Sequence, residues 1–550
     1  MFRTRPAAGL ALLRLTLATA FGVALLVPPP LHAAKPAATP SAPAVSQSSS
    51  AATLTAAEAA GVVFEDRNRN RVRDTGEPGI RGVKVSNGEQ IVVTDRDGRW
   101  KLPAGDDEVF FVIKPRGYMT PVNEDKLPLF YYVHKPNGSP KSRFAGVAPT
   151  GPLPKSIDFP LHKQREPDKY RILLFGDTQA RDQKELDFMA HDVIEDLIGF
   201  DASFGMTLGD VVFDDLSLYP NHNRTIGMIG LPWYNVLGNH DINKDAADDR
   251  QSDETWERVF GPAYYSFDWG PVHFVALDDV FWTGPQGDRR GSYTGGLGPR
   301  QLEWLKRDLA MVPKNQLVVL GMHIPLNSVA EKQEIFRLLE QRPFALSLSA
   351  HTHFQEHRML GEKDGWRGKE PHHHVVHATV CGSWWGGAPD ERGIPNATMS
   401  DGAPNGYSVV TFDGAKYAFE FVPASRPASF QMLIHAPEEV ESAATGTTNV
   451  FVNVFAGSER SKVEMRVGDS GPWVRLEQVA AEDPAYLAMK ALEAGPAPPP
   501  GRKLPAPRKS PHLWRGVLPA NLPAGHHRVQ VRTTDMFGKT YEDQRQVRVK

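Results

Sequence analysis

Five times between residues 172 and 353 an apolar run gives way to a small residue and then, within two positions, to Asp, Asn or His. The five segments are Phe175-Gly176-Asp177-Thr178-Gln179, Leu208-Gly209-Asp210, Leu237-Gly238-Asn239-His240-Asp241, Gly321-Met322-His323 and Ala350-His351-Thr352-His353. The runs before them (Ile172 to Phe175, Ala202 to Leu208, Trp233 to Leu237, Leu317 to Gly321, Phe344 to Ser349) are short enough to be buried strands. Between them lie helical patterns over Lys184 to Ile198, with Leu186, Met189, Val193 and Leu197 on one face, over Pro299 to Met311, and around Glu334 to Leu339. Strand–helix alternation predicts a layered α/β domain. In open α/β sheets ligands sit beyond the carboxyl ends of the strands, so this spacing predicts that all five segments meet at one crevice.

The donors are chemically matched. Carboxylate and amide oxygens with imidazole nitrogens make a mixed hard and borderline set, suited to Mn, Fe or Zn. The glycines before Asp177, Asp210 and Asn239 are expected to let the backbone turn sharply and present the next side chain. Taken singly, an Asp after a strand is more often a turn former or helix cap, and a lone histidine such as His323 is usually packed. The ordered set of five is what overrides those readings.

The order Asp-x-Gln, Gly-Asp, Gly-Asn-His-Asp, His and Ala-His-x-His resembles the calcineurin-like metallophosphoesterases. The resemblance implies a four-layer α/β/β/α core and hydrolysis of a small-molecule phosphate ester with two divalent transition metals. It places Asp177, Gln179, Asp210 and His353 around one ion and Asp210, Asn239, His323 and His351 around the second, with Asp210 shared. His240 matches the residue that contacts phosphate and protonates the leaving group, and Asp241 is expected to orient it. Gln179 stands where the family usually has His, and Ala350 where it has Gly. The second acid of Gly209-Asp210-Val211-Val212-Phe213-Asp214 is displaced by one position, so neither Asp214 nor Asp215 is assigned as a ligand.

Around this core the chain divides further. Residues 1–34 have Arg3 and Arg5, an apolar stretch from Ala7 to Val27 broken by Arg14, then Pro28 to Pro30 and small residues. That is the layout of a cleaved secretory signal, implying a secreted or periplasmic protein with no transmembrane helix in the mature chain. Residues 35–59, rich in Ala, Pro and Ser, read as a flexible leader. Short alternating strands predict a small β-sandwich over 60–163 and a second over 426–550, flanking the catalytic region at 168–425. The sole cysteine, Cys381, leaves no intrachain disulfide to form, and a net charge of −3 with no basic block argues against binding of nucleic-acid duplexes.

Three other features compete for function. Asp66, Asn68, Asn70, Asp74 and Glu77 fall at calcium-loop spacing, with a bound structural calcium and an ion-free polar loop as the alternatives. Trp384 and Trp385, between glycines, offer a platform for part of a substrate or else pack in the core. His372, His373, His374 and His377 suggest a further metal site, or a loop and strand packed near the catalytic face. The alternative to an enzyme is a cell-surface binding or adhesion protein with a vestigial phosphoesterase core. A lactamase-type metallohydrolase is disfavoured because its His-x-His-x-Asp-His cluster is missing from the sequence.

Overall fold

The computed structural model describes residues 57–287 and 289–550. The signal-type segment 1–34 and nearly all of the 35–59 leader lie outside them.

Two sheets form the centre. The first runs, in order, Trp233–Val236, Gly205–Leu208, Lys169–Phe175, Gly406–Asp413 and Lys416–Pro423, with the first three strands parallel and the last two antiparallel. The second runs Tyr265–Trp269, Val272–Ala276, Leu317–Gly321, Ala345–Ser349, His372–Val376 and Glu356–Leu360; its four inner strands are parallel and its edges antiparallel. Parallel strands buried on both faces need continuous apolar sequence, and Leu317 to Leu320 and Ile172 to Phe175 supply it. The sheets share one core, in which Tyr234 stacks on Phe267 with ring centroids 3.9 Å apart and Phe204 meets Phe274 edge-on.

Helices cover the outer faces. Gly298–Ala310 and Lys332–Leu339 bury Trp304, Leu305, Ile335 and Phe336 with the second sheet. Against the first sheet pack Leu186 and Met189 of Gln183–Met189 and Ile226 of Tyr219–Gly227. This is the four-layer α/β/β/α arrangement.

The expected single helix over Lys184 to Ile198 is instead an α-helix to Met189, a π-turn over Ala190–Ile194 and a 3-10 turn over Glu195–Leu197. The wide turn carries the buried Asp192 carboxylate, which accepts hydrogen bonds from Arg392 at 2.9 Å and Asn405 at 2.9 Å. Two further helices, Tyr219–Gly227 and Glu254–Phe260, precede the antiparallel hairpin of Tyr265–Trp269 with Val272–Ala276.

On the N-terminal side, a sheet of Arg99–Ala104, Ala57–Glu65, Phe159–Lys163 and Tyr118–Met119 faces one of Ile91–Val93, Lys84–Ser86, Glu108–Ile113 and Tyr131–His134. This sandwich is fused to the centre: Phe130 lies 5.0 Å from Tyr265, and the buried Lys114 donates to Glu166 and to the Asp268 carbonyl, both at 2.6 Å. A second sandwich, built from nine strands between Met432 and Val549, has its own core of Val450, Val452, Val463, Val529 and Val531. Among the described residues no helix is long and apolar enough to cross a membrane.

Candidate metal centre

All five polar segments lie at one end of the paired sheets, three leaving the first sheet and two the second. Loop hydrogen bonds lock them together: Ala350 N–H donates to the His323 carbonyl at 3.0 Å, and Gln179 N–H to that of Asp210 at 2.9 Å.

The donor atoms then face one another. The amide N–H of His240 and the Gln179 side chain donate to the two oxygens of Asp210, at 2.9 and 2.8 Å. His323 Nδ1 donates to the Leu208 carbonyl at 2.9 Å, which turns Nε2 inward. There Nε2 lies 3.0 Å from Asn239 Oδ1, 3.1 Å from His351 Nδ1 and 3.3 Å from Asp210 Oδ1. His353 repeats the device. Its Nδ1 donates to the Gly382 carbonyl at 2.5 Å, leaving the Nε2 lone pair 3.3 Å from Asp177 Oδ2. That carboxylate oxygen is buried and receives no hydrogen bond among the described residues.

Lone pairs so close together, out of water, require positive charge between them. The pKa directions express the same demand. Burial alone would depress the His323 imidazole, but Asp210 and Asp177 outweigh it and push it up to about 10. Burial and the neighbouring Asp210 raise Asp177 well above the usual carboxylate range, despite His323, because two adjacent buried carboxylates cannot both ionise. Burial holds His353 and His351 neutral, at about 3 and about 4, the state in which an imidazole binds a cation. Asp210, His323 and His351 are the group of titratable ligands among the described residues able to hold one ion. The donor set therefore fits divalent metal.

The cluster is built at a conformational cost. Asp177, Gln179, Asp210, His351 and His353 all have positive φ, between 26° and 69°, which non-glycine residues rarely adopt. Of the glycines before them only Gly209 shares that conformation, at φ 89°; Gly176 and Gly238 do not, and glycine is needed here for close approach as well. A Cβ on Gly238 would sit 2.1 Å from the Asp210 nitrogen, and one on Gly209 2.4 Å from His323 Nδ1. Ala350 has no positive φ, so its replacement of glycine carries no strain.

Three expectations need correction. Asp241 does not touch the His240 ring. Its buried carboxylate accepts N–H groups from Gly238 at 2.9 Å and Val211 at 3.1 Å and the Tyr219 hydroxyl at 3.2 Å, so it braces the loop. The partner of His240 is Asp214, 2.6 Å from Nδ1, which also ion-pairs with Lys244. Phe213 stacks on the imidazole, centroids 4.2 Å apart. The one-residue displacement of this acid made it easy to pass over; Asp214 has positive φ, and that returns its carboxylate to the cleft. Secondly, Gln179 presents its amide nitrogen to Asp210, with Oε1 3.6 Å from Cys381 Sγ, so holding a cation through oxygen requires the amide turned over. Thirdly, Trp385 is buried beside Phe188 and cannot meet a substrate. Trp384 is half-buried and stacks on His353 at 3.9 Å.

Asp279 was missed altogether. It follows the strand Val272–Ala276 and accepts the N–H groups of His323 and Ile324 at 3.0 and 3.1 Å. The strand-end signal was present, but no glycine or histidine marked it.

Elsewhere, Asp66, Asn68, Asn70, Asp74 and Glu77 form one loop whose oxygens are used internally. Asn68 and Asn70 donate to Asp74 at 2.7 and 2.8 Å, and Glu77 accepts the N–H groups of Arg67 and Asp74. His372, His373 and His374 form a buried strand of the second sheet and do not reach the metal centre.

Residues 170–355 match the family described as calcineurin-like phosphoesterase, residues 66–147 its N-terminal region and residues 374–541 its C-terminal region. No curated protein matches the chain by sequence. Among solved structures, a purple acid phosphatase, PPD1, from seeds of yellow lupin (Lupinus luteus) is similar at 14% identity over 63% of this chain and 67% of that one, with a TM-score of 0.34. A structure of PhoD is similar at 11% identity over 68% and 83%, with a TM-score of 0.35. By its matched regions, from Asp66 to Tyr541, the chain belongs to the calcineurin-like phosphoesterases, metal-dependent hydrolases of phosphate esters.

Proposed function

We propose that this cleft holds two divalent transition metals, Mn, Fe or Zn, and hydrolyses a phosphate mono- or diester. One ion is held by Asp177, Asp210, His353 and a turned-over Gln179, the other by Asp210, Asn239, His323 and His351. The observation that carries the proposal is the meeting of lone pairs: Nε2 of His323 with Asn239, Asp210 and His351, and Nε2 of His353 with an unpartnered oxygen of Asp177. Two such ions supply Lewis acidity toward phosphoryl oxygens and acidify an attacking water.

The chain's own groups do the rest. Leu208 and Gly382 carbonyls fix the tautomers of His323 and His353, so that lone pairs face inward. His240 is anchored at Nδ1 by Asp214 and flat against Phe213, which leaves Nε2 without a partner among the described residues. A proton carried there is placed for the departing oxygen, and Asp214 stabilises the charged ring. Asp241 and Asp279 hold the loops that bear His240 and His323.

The signal-type segment at 1–34 supports export, to the periplasm or beyond. The test of the whole proposal is metal analysis with turnover. Protein stripped by chelator and reloaded with Mn or Zn is expected to take up two equivalents per chain and to cleave p-nitrophenyl phosphate or its bis ester. Asp210→Ala is expected to lose both ions and all measurable turnover, since this carboxylate is shared. Uptake of one equivalent by the wild type, or full activity in Asp210→Ala, would refute it.

A further inference from the structure

Beside the metal centre opens a second feature that the site above does not use. A cavity of about 660 Å³ is lined by Lys244, Trp282, Arg289, Arg290, Ser292 and Tyr293, along with Pro285 and glycines. That size suits a small molecule rather than a polymer. It is built on the hairpin of Val280–Trp282 and Tyr293–Gly295. The frame is fixed: Trp282 Nε1 donates to the Ala246 carbonyl at 3.0 Å, and Thr283 Oγ1 to that of Ser292 at 2.8 Å. Gly291 lies so close beneath Trp282 that a Cβ would come within 2.2 Å of the ring.

Two contacts join this cavity to the reacting cleft. The Tyr293 ring stands edge-on to His351, centroids 6.2 Å apart. Lys244 pairs with Asp214, the carboxylate that holds His240. Tyr293 lines the cavity and faces His351, so a group attached to a phosphate held in the cleft has this cavity beside it. Among the described residues the lining is cationic: Lys244, Arg289 and Arg290 face the cavity and no Asp or Glu does, while Asp288, between Gly287 and Arg289 in the sequence, lies outside the described residues. Asp214 offsets one of the three charges. Guanidinium groups grip phosphate or carboxylate oxygens through paired, charge-assisted hydrogen bonds.

We infer that this cavity is the leaving-group site, and that the substrate is a phosphate ester whose leaving group bears an anionic substituent of its own, a second phosphate or a carboxylate. The inference rests on the phosphoesterase reading of the metal centre and adds the substrate class.

The test compares matched ester pairs on metal-loaded protein: fructose 1,6-bisphosphate against fructose 6-phosphate, and 3-phosphoglycerate against glycerol 3-phosphate. The wild type is expected to prefer the doubly anionic member of at least one pair in kcat/KM. The double variant Arg289→Ser/Arg290→Ser is expected to shrink that preference about tenfold or more, the scale of a hydrogen bond between charged groups. Arg289→Lys/Arg290→Lys should recover part of it. A preference confined to one pair tells phosphate from carboxylate. Both residues lie on an exposed loop, and an unchanged thermal midpoint in the variants verifies folding. If the wild type shows no preference in either pair, or the serine variant keeps it, the inference fails while the phosphoesterase reading stands. If the metal-loaded wild type cleaves none of these esters, nor p-nitrophenyl phosphate, nor its bis ester, both fall.

Discussion

Two groups of buried histidines lie in the same half of the molecule and behave in opposite ways. His323 and His353 each spend Nδ1 on a backbone carbonyl and turn Nε2 toward carboxylate or amide oxygens that offer no proton. His372, His373 and His374, in the second sheet, are as well buried, yet their ring nitrogens meet partners that can give or take a proton: Ser347 for His372, Ser347 and Ser349 for His374, and Tyr417 and the His357 ring for His373. Tyr417 belongs to the far edge strand of the first sheet. Histidine content and burial therefore do not distinguish a metal centre from a packed strand. What distinguishes them is whether lone pairs are left facing one another, with carboxylates near enough to demand a cation.

The largest expected consequence concerns acid. Burial depresses His372 to about 3 and His357 and His377 to about 4, against 6.5 for an exposed ring. Below pH 6.5 the unfolded chain binds protons that the folded chain refuses. Their contribution to stability is therefore complete above pH 6.5, declines as pH falls, and stops declining once the folded values near 4 and 3 are passed. At pH 5 each such histidine costs about 2 kcal/mol. Buried acids such as Asp279 and Glu257, pushed up to about 7 by burial, shift stability the opposite way as pH falls, so the check is a difference. In urea unfolding of metal-loaded protein at pH 7.5 and 5, with metal content followed alongside, the double variant His372→Gln/His377→Gln is expected to lose about 4 kcal/mol less than the wild type over that interval. An equal change in both proteins would mean that these rings take up protons in place, and the contrast with the metal centre would collapse.

The second expectation separates the two acids near His240. Asp214→Asn removes the charge from the Nδ1 partner and is expected to lower kcat roughly 10- to 100-fold, the scale on which a supporting carboxylate tunes a working imidazole. Metal content should not change. Asp241→Asn should instead act mainly on folding, because that carboxylate accepts two N–H groups of its own loops within 3.1 Å. Metal analysis, kcat and thermal midpoint on both variants decide it: equal falls in kcat without loss of stability would return the orienting role to Asp241.

That pair also shows how far the sequence could be read. The order of five strand-end segments sufficed for the layered core and for the meeting of Asp177, Asp210, Asn239, His323, His351 and His353 in one cleft, because a strand end fixes where the next residue points. It failed for Asp214 and Asp241, where the choice turns on a positive φ at Asp214 that residue order does not encode. It failed for Trp385 because the loop after Cys381 sends the two tryptophans in different directions, one onto His353 and one under Phe188. The π-turn at Ala190–Ile194 was invisible for a related reason: its cause is a set of partners for Asp192, including Arg392 and Asn405, two hundred residues away along the chain.

The smallest expected effect is the sharpest test of the packed strand. Leu326 N–H points to His374 Nε2 at 3.4 Å, so that nitrogen accepts and Nδ1 carries the proton. His374 Nδ1 then donates to the Ser347 hydroxyl at 2.8 Å, and the hydroxyl, with one proton to give, donates to His372 Nε2 at 2.8 Å. One oxygen thus fixes the Nδ1–H tautomer on both neighbouring rings, accepting from His374 and donating to His372. Ser347→Ala leaves an N–H and a lone pair unmet inside a dry sheet, at an expected cost of about 1–3 kcal/mol in urea unfolding. Metal stoichiometry and turnover should be those of the wild type. Were Ser347→Ala to lose metal instead, the histidines of this strand would belong to the cation site, and the division between a packed and a ligating set would be wrong.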